Sequence, residues 1–231
     1  MSHPYHHAIS SARRFGGTAD EHEPLHAFFD SSKASLADAR HRCLLHHSAG
    51  IFIAEQRFGT TIPVTGRDGR TRRIPVRPVG EQHVLEDYGT IPSVAQAFAG
   101  LRPSELLTAN LTADRVDMHA QRTAQVFGGP LSAHRDLHAF LEQGRDHLPP
   151  EQARGLLHHA FGVGLAVQVF GERHQGVDVR GTLEDHLRAD VGFVPTVEQA
   201  LSTMRLEAWM SRGAAIPQAV RDAQDAGELD I

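Results

Sequence analysis

The chain carries one phrase twice, HRCLLHHSAGIFIAEQRFG at residues 41–59 and ARGLLHHAFGVGLAVQVFG at residues 153–171. Both copies place two histidines just before an apolar stretch that ends in Phe-Gly. Aligning residue 41 with residue 153 and extending back to residue 3 gives about 22 identities in about 57 gap-free pairs, where unrelated sequences would give a handful. The chain is therefore an internal duplication.

Beyond Gly59 the alignment continues in a shifted register, with residues 81–98 facing residues 184–201. The first copy therefore holds about nine extra residues between 60 and 80. This insert has β-branched residues on both sides of Arg67-Asp68-Gly69, which predicts a β-hairpin with an Asp-Gly turn. In the second copy, RHQGVDVRG indicates a shortened version of the same hairpin.

The duplication predicts a mainly α fold of two tandem homologous helical units with a small β-hairpin insert in the first. We expect the units to pack as a pseudo-twofold dimer within a monomeric chain, because fusion makes an ancestral dimer contact intramolecular. Two independent units are the alternative. The predicted boundaries are a first unit at 1–100, a linker at 101–114, a diverged second unit at 115–212 and a C-terminal tail at 213–231.

The composition favours a soluble cytoplasmic protein. A formal net charge of −5 over 231 residues makes nucleic acid an unlikely partner, and the single Cys43 excludes an intramolecular disulfide. We expect no membrane association, because no segment has the roughly 18 apolar residues of a membrane span and the N-terminus has no apolar signal region. The anomaly is histidine: the chain has 17 of them against 23 Lys plus Arg.

Apolar spacing predicts the helices that carry these histidines. Residues 21–35 form one helix, and residues 36–58 form a single longer helix that ends at Gly59 and has His47 on its apolar stripe. A third helix begins near Glu81 and ends at Gly89, and a fourth follows Pro92 with Ser93 as its N-cap.

The first histidine pattern is His22-x3-His26-x3-Asp30, which the second copy repeats as His134, His138 and Glu142. Spacing of i, i+4 places neighbouring side chains on one helix face, where adjacent members can share a metal ion. The alternative is a solvated helix face, for which the same residue types are suitable.

The second pattern is the pair His46-His47, matched by His158-His159. Adjacent helical residues point about 100° apart, so only one member of each pair turns inward. His47 is either a core histidine bonded to a carbonyl or a metal ligand. Glu55, on the same face, is a candidate ligand or base that the second copy replaces by Val167.

The third pattern is Glu81-x-His83-x3-Asp87, matched by Glu184, His186 and Asp190. Asp87 could bind metal beside His83 or fix its tautomer, while helix N-terminal acids are the alternative explanation. His7 and His119 form a further matched pair, whereas His3, His6 and His41 face Arg115, Met118 and Ala153 and look incidental.

The stretches SHPYHHAISSARRFGG, LHAFFDSSK, RHRCLLHHSAGIFIAEQRFG and GEQHVLEDYGTIPS resemble a family of small bacterial and phage proteins classed as a domain of unknown function. The resemblance covers about residues 2 to 99, and residues 115 to 201 resemble a diverged second copy. It implies domain boundaries and no established activity. The second copy departs from the family pattern at Met118, Ala153, Val167 and Ala189. These departures favour the first copy as the active one.

Two functions follow from these patterns. The first is a divalent-metal protein, with zinc, iron or manganese bound by His26, Asp30, His47 and His83, and with hydrolysis of a small-molecule substrate as the expected reaction. Glu55 and Glu86 are candidate general bases, and Arg42 is a candidate anion-binding group. The full set of candidate ligands comprises His7, His26, Asp30, His46, His47, His83, Asp87, His138, His159 and His186.

The second function is a non-catalytic binding or assembly module with structural histidines. In that case the hairpin residues Arg70, Arg72 and Arg73 would recognise an acidic protein partner. A nucleophilic enzyme is disfavoured because Cys43 is matched by Gly155 and the chain has no Gly-x-Ser-x-Gly motif.

Overall fold

The computed structural model describes residues 3–109 and 115–211. The predicted tail at 213–231 and the end of the predicted linker at 110–114 lie outside the described residues. The described chain divides into two compact units: residues 3–97 with 206–211, and residues 98–205 without 110–114. The predicted domain boundaries stay a prediction.

The mainly helical class is confirmed for the described residues, and each unit adds one two-stranded hairpin. The first unit contains α1 (Pro4–Phe15), α2 (Ala19–Asp30), α3 (Arg42–Leu45), α4 (Ser48–Phe58), β1 (Thr61–Thr65), β2 (Thr71–Pro75), α5 (Val76–Tyr88) and α6 (Val94–Ala97). The second unit contains α7 (Glu105–Thr108), α8 (Arg115–Phe127), α9 (Leu131–Leu141), α10 (Pro150–Leu157), α11 (Ala160–Phe170), β3 (Arg173–His174), β4 (Val177–Asp178), α12 (Val179–Val191) and α13 (Val197–Ala200). Short 3₁₀ turns lie at Ser31–Ala34 and Ala39–His41.

The helices α1 and α2 form a hairpin that brings the first histidines to the core. The turn uses Gly16 and Gly17 at φ 86° and 83°, a backbone region that favours glycine. Thr18 and Glu21 then form a capping box at the start of α2. The predicted helix at 21–35 is thus present, although it begins earlier and its last turn is 3₁₀.

The prediction of one helix over residues 36–58 is wrong. The chain instead forms a 3₁₀ turn, the short α3 and then α4, with a break at His46-His47. His47 has extended backbone angles and its Nδ1 accepts the Gly50 N–H at 3.3 Å, so it is the N-cap of α4. A Cβ on Gly50 would lie 1.8 Å from the Leu45 carbonyl oxygen, so the break requires glycine at that position.

The predicted hairpin is confirmed in the first unit and in shortened form in the second. Thr61 pairs with Pro75 and Thr65 with Thr71, and Gly69 takes φ 74° in the turn. The strand β2 runs directly into α5, which therefore begins at Val76 and not near Glu81 as predicted. It ends as predicted, with Gly89 in the left-handed region.

The helix α5 packs closely on α2 at one contact. A Cβ on Gly80 would lie 2.9 Å from the Phe29 ring, and that ring stacks on His83 with centroids 4.8 Å apart. In the second unit the aligned positions hold Leu141 and Leu183, both fully buried. The first unit pairs a large ring on α2 with a glycine on α5, whereas the second unit pairs two leucines. Both combinations fill the contact between the helices.

Candidate metal centre

Five ionisable residues meet in the core of the first unit, although four separate segments supply them. His7 comes from α1, Asp30 from the end of α2, His46 from the break before α4, and His83 and Asp87 from α5. The three histidines are fully buried, and Asp30 and Asp87 are only 9% and 7% exposed. Buried groups of this kind need partners of opposite charge.

The side-chain atoms of these residues lie at the spacing of ligands around an ion. His46 Nε2 is 3.1 Å from His83 Nε2, 3.3 Å from Asp87 Oδ2 and 3.6 Å from Asp30 Oδ1. His7 Nε2 is 3.2 Å from Asp87 Oδ1. Ligands that each lie about 2.1 Å from one ion are roughly 3 to 3.5 Å apart. The five residues form two groups whose ligand atoms lie within 4.8 Å of one another, His7 with His83 and Asp87, and Asp30 with His46 and His83, so the groups share His83.

Neighbouring residues orient two of the three rings. His7 Nδ1 lies 2.7 Å from Glu86 Oε2, and His83 Nδ1 lies 3.0 Å from His26 Nδ1. His26 Nε2 lies 2.9 Å from Ser11 Oγ. When the rings are neutral and carry their proton on Nδ1, the lone pairs of His7 Nε2 and His83 Nε2 face the cluster, as metal-binding histidines require. A metal ion must displace a proton from His7 to reach this state, because the pKa of His7 is raised.

The electrostatics of the cluster favour added positive charge. Burial alone would lower the pKa of His7, but hydrogen bonds with Asp87 and Glu86 outweigh it and raise the pKa to about 9. Burial would likewise raise the pKa of Asp87, yet hydrogen bonds from His46 and His7 hold it far below its usual value. Lys33 contributes one cation, 2.7 Å from Asp30.

His83 has the protonation state that a ligand needs. Burial first, and then the neighbouring histidines, hold the pKa of His83 well below its ordinary value. The ring is therefore neutral at physiological pH, and a metal ion need not displace a proton from it.

Three residues that the sequence offered for the site, His26, His47 and Glu55, lie outside this cluster or act on it indirectly. His26 bonds His83 and stacks on the His7 ring, with centroids 5.8 Å apart, and directs no ring nitrogen at the carboxylates. His47 uses both ring nitrogens on the backbone, because Nδ1 caps Gly50 and Nε2 donates to the Leu44 carbonyl at 3.1 Å. Glu55 pairs with Arg77 at 2.6 Å. The structure therefore places His46 in the cluster, and it places His47, the residue on the predicted apolar stripe, outside the cluster.

Arg42, the candidate anion-binding group, is buried. Its Nη1 donates to the Met210 carbonyl at 2.6 Å, and its guanidinium lies 5.0 Å from the centre of the Tyr88 ring. These contacts attach residues 206–211 to the first unit, which is a structural role.

The second unit repeats the arrangement of the first. Glu142, His158, His186 and Asp190 place ligand atoms within 4.8 Å of one another. His138, like His26, bonds the equivalent histidine, with His186 Nδ1 2.8 Å away, and bonds a hydroxyl, here Thr123 Oγ1 at 2.8 Å.

Comparison with known families fits the duplication. The family described as domain of unknown function (DUF6915) matches residues 2–107 and again residues 115–210. The chain belongs to this family. No curated protein and no solved structure matches it. Among the described residues of this chain, no helix has the length and apolar character needed to cross a membrane.

One residue distinguishes the second DUF6915 copy from the first. Arg115, which the sequence paired with the incidental His3, is 1% exposed and enters the cluster. Its Nε donates to Glu142 at 2.9 Å and its Nη2 donates to Asp190. Burial and then the charge of Arg115 lower the pKa of His119 to about 4, opposite to the shift of His7.

Sequence reasoning missed Arg115 and the hydroxyls Ser11 and Thr123. The alignment itself pairs Ser11 with Thr123, so a hydroxyl shared by both copies was the available signal. The available signal for Arg115 was its position four residues before His119 on α8, which places both side chains on one helix face.

Proposed function

We propose that the first DUF6915 copy binds one divalent transition-metal ion through His7, His46, His83 and Asp87, with Asp30 completing the set. The supporting observation is that four segments bring together three buried histidines and two carboxylates, as two groups that share His83 and whose ligand atoms lie within 4.8 Å of one another. Helix packing alone does not call for such a group, since each buried polar atom adds a desolvation cost.

The mixture of imidazole and carboxylate ligands fits zinc, iron or manganese. Imidazole suits zinc and iron, and carboxylate oxygens extend the range to manganese. Thiolate coordination has no support, because the fully buried Cys43 has its pKa raised by burial and remains a thiol.

Hydrolysis of a small-molecule substrate is the reaction that this ligand set supports best. A bound ion lowers the pKa of coordinated water towards neutrality and polarises a phosphoryl or carbonyl oxygen. Glu86 has the most exposed carboxylate at the cluster, 18% by side chain, and it holds the His7 ring. Its role is to fix His7 and to exchange protons with solvent at the edge of the site.

Metal content per chain tests the proposal. Tag-free wild type, Asp87→Asn and the matched Asp190→Asn would be analysed by elemental mass spectrometry after reconstitution with zinc, iron or manganese. We expect about one ion per wild-type chain, loss in Asp87→Asn and retention in Asp190→Asn. No bound metal in folded wild type would disprove the proposal.

A screen with chromogenic phosphate and carboxyl esters then tests hydrolysis. Activity should require the metal and should fall in Glu86→Gln, which keeps the shape of the side chain and removes its charge. If the metal-loaded protein hydrolyses none of the esters, the proposed metal site stands and the proposed hydrolysis is contradicted.

A second function, recognition of an acidic protein, is supported by the hairpin. Arg67, Arg70, Arg72 and Arg73 are all exposed on β2 and its turn. Replacing Arg70, Arg72 and Arg73 by serine should weaken binding to a poly-glutamate peptide, measured by fluorescence anisotropy at low salt. Unchanged binding in the triple variant would exclude the hairpin as the recognition surface.

The pseudo-twofold packing, the monomeric state and the cytoplasmic location belong with this proposal and stay predictions. Sedimentation velocity of the full chain checks the monomeric state.

A further inference from the structure

We propose that the second DUF6915 copy is a metal site whose cation has been replaced by the guanidinium of Arg115, so that the chain binds metal in its first copy alone. The part concerning the first copy rests on the proposed function. The part concerning the second copy rests on its own geometry.

The two clusters are built from aligned residues on aligned elements. The pairs are His7 with His119, Asp30 with Glu142, His46 with His158, His83 with His186, and Asp87 with Asp190. His186 Nε2 lies 3.3 Å from Asp190 Oδ2 and 3.5 Å from Glu142 Oε1, and His119 Nε2 lies 3.1 Å from Asp190 Oδ1. The second copy has therefore kept the donor atoms of the first.

Arg115 lies between the two carboxylates of this second set. It bonds Glu142 through Nε and Asp190 through Nη2, and its Nη2 is 3.5 Å from His119 Nε2. A planar guanidinium is always charged and donates along fixed directions, so it can satisfy two carboxylates as a metal ion would.

The first copy has no such cation at the aligned position. His3 is exposed at the N-terminus of α1, where its Nδ1 accepts the Tyr5 N–H at 3.2 Å. In the first cluster Lys33 Nζ lies 2.7 Å from Asp30 Oδ1, and His7 Nε2 lies 3.2 Å from Asp87 Oδ1.

A second exchange between the copies fits the same explanation. Glu86 of the first copy, which bonds His7, is replaced by Ala189. Ser10 and Gln82, which bond Glu86 in the first copy, are replaced by Arg122 and Asp185, which bond each other. The second copy thus gained a fixed cation and lost the extra carboxylate near the cluster.

Arg115 and a metal ion exclude each other. The ion would need the Glu142 and Asp190 oxygens that the guanidinium occupies, and two cations in one buried site would repel each other strongly. Removing the guanidinium leaves Glu142 without its arginine partner and leaves Asp190 with Arg154, whose Nη2 is 3.6 Å from Asp190 Oδ2. A divalent ion can restore the positive charge that is lost.

The test is the zinc stoichiometry of four proteins, measured by elemental analysis after dialysis. They are wild type, Arg115→Ser, the double variant Asp87→Asn with Arg115→Ser, and Arg135→Ser. Arg135 pairs with Asp117 on the exposed side of the same unit, so its loss is a matched change of charge. We expect one equivalent of zinc in wild type and two in Arg115→Ser. We expect one equivalent in the double variant and one in Arg135→Ser.

The outcomes separate the two proposals. No zinc in wild type with one equivalent in Arg115→Ser would refute the first-copy site and support this inference. One equivalent in both wild type and folded Arg115→Ser would overturn the inference alone. Should Arg115→Ser fail to fold, wild type still decides, because saturation at two equivalents would show that Arg115 does not exclude metal.

Discussion

At the scale of single residues, the site depends on how each histidine uses its two nitrogens. His7, His46 and His83 direct Nε2 into the cluster, whereas His26 uses one nitrogen to hold His83 and the other to bond Ser11. His47 uses both nitrogens on the backbone. Histidines adjacent in sequence thus have different roles, which residue type alone does not reveal.

His26→Ala should weaken metal binding without abolishing it. The substitution removes the partner of His83 Nδ1, and loss of such a partner typically raises the dissociation constant about 10- to 100-fold. Competition with a chromophoric chelator measures this constant. The matched His138→Ala, in the second copy, should leave it unchanged, and equal affinities for His26→Ala and wild type would refute the positioning role.

At the scale of elements, a helix break decides which side chain enters each core. The break follows His46 in the first unit and His158 in the second. The N-caps His47 and His159 start α4 and α11, and Gly50 and Gly162 allow the new helix to pass against the preceding carbonyl. This break turns the preceding histidine, His46 or His158, into the cluster.

Gly162→Ala should destabilise the second unit by about 3 kcal/mol, because its Cβ would lie 1.9 Å from the Leu157 carbonyl oxygen. Gly164→Ala in the same helix meets no atom within 4 Å and should instead stabilise by about 0.5 to 1 kcal/mol. Urea unfolding compares the two. Similar midpoints for both variants would contradict the requirement for glycine at the break.

His159 should make the second unit sensitive to acid. Burial lowers its pKa from the ordinary 6.5 of a histidine to about 4. A histidine whose folded pKa is depressed contributes full stability above pH 6.5 and loses it as the pH falls towards 4. Between pH 7 and pH 5 this single group accounts for about 2 kcal/mol of lost unfolding free energy.

His159→Asn keeps a capping side chain for the Gly162 N–H and removes the titration. Its loss of unfolding free energy between pH 7 and pH 5 should therefore be about 2 kcal/mol smaller than that of wild type. Urea unfolding in chelator at both pH values measures the difference. The exposed His147→Asn should behave as wild type, and an unchanged loss in His159→Asn would refute the assignment.

At the scale of the whole molecule, the chain contains two copies of one domain, and the second cluster holds the buried Arg115 where the first copy has His3. Metal added at 100 times its dissociation constant should stabilise wild type by about 2.7 kcal/mol, or roughly 5 to 10 °C in Tm for a chain of this size. Calorimetry with metal and with chelator measures the shift. Asp87→Asn should show none, and an equal shift in that variant would place the metal elsewhere.

Much of the architecture followed from the sequence. The duplication, the hairpin insert, the end of α5 at Gly89 and the candidacy of His7, Asp30, His46, His83 and Asp87 all follow from local patterns or from matching across the copies. Periodicity failed at residues 36–58, because an apolar stripe continues through a break that a capping histidine and a close glycine contact produce.

The sequence by itself determined that two copies exist and which histidines they share, because identity between repeats is a property of the chain alone. Tertiary structure decided which ring nitrogen faces the cluster, why Arg42 and His47 lie outside it, and that Arg115 enters its counterpart. Those outcomes depend on contacts between segments that are far apart in sequence. Arg115 and Glu142, for example, are 27 residues apart, and spacing along one helix does not predict their contact.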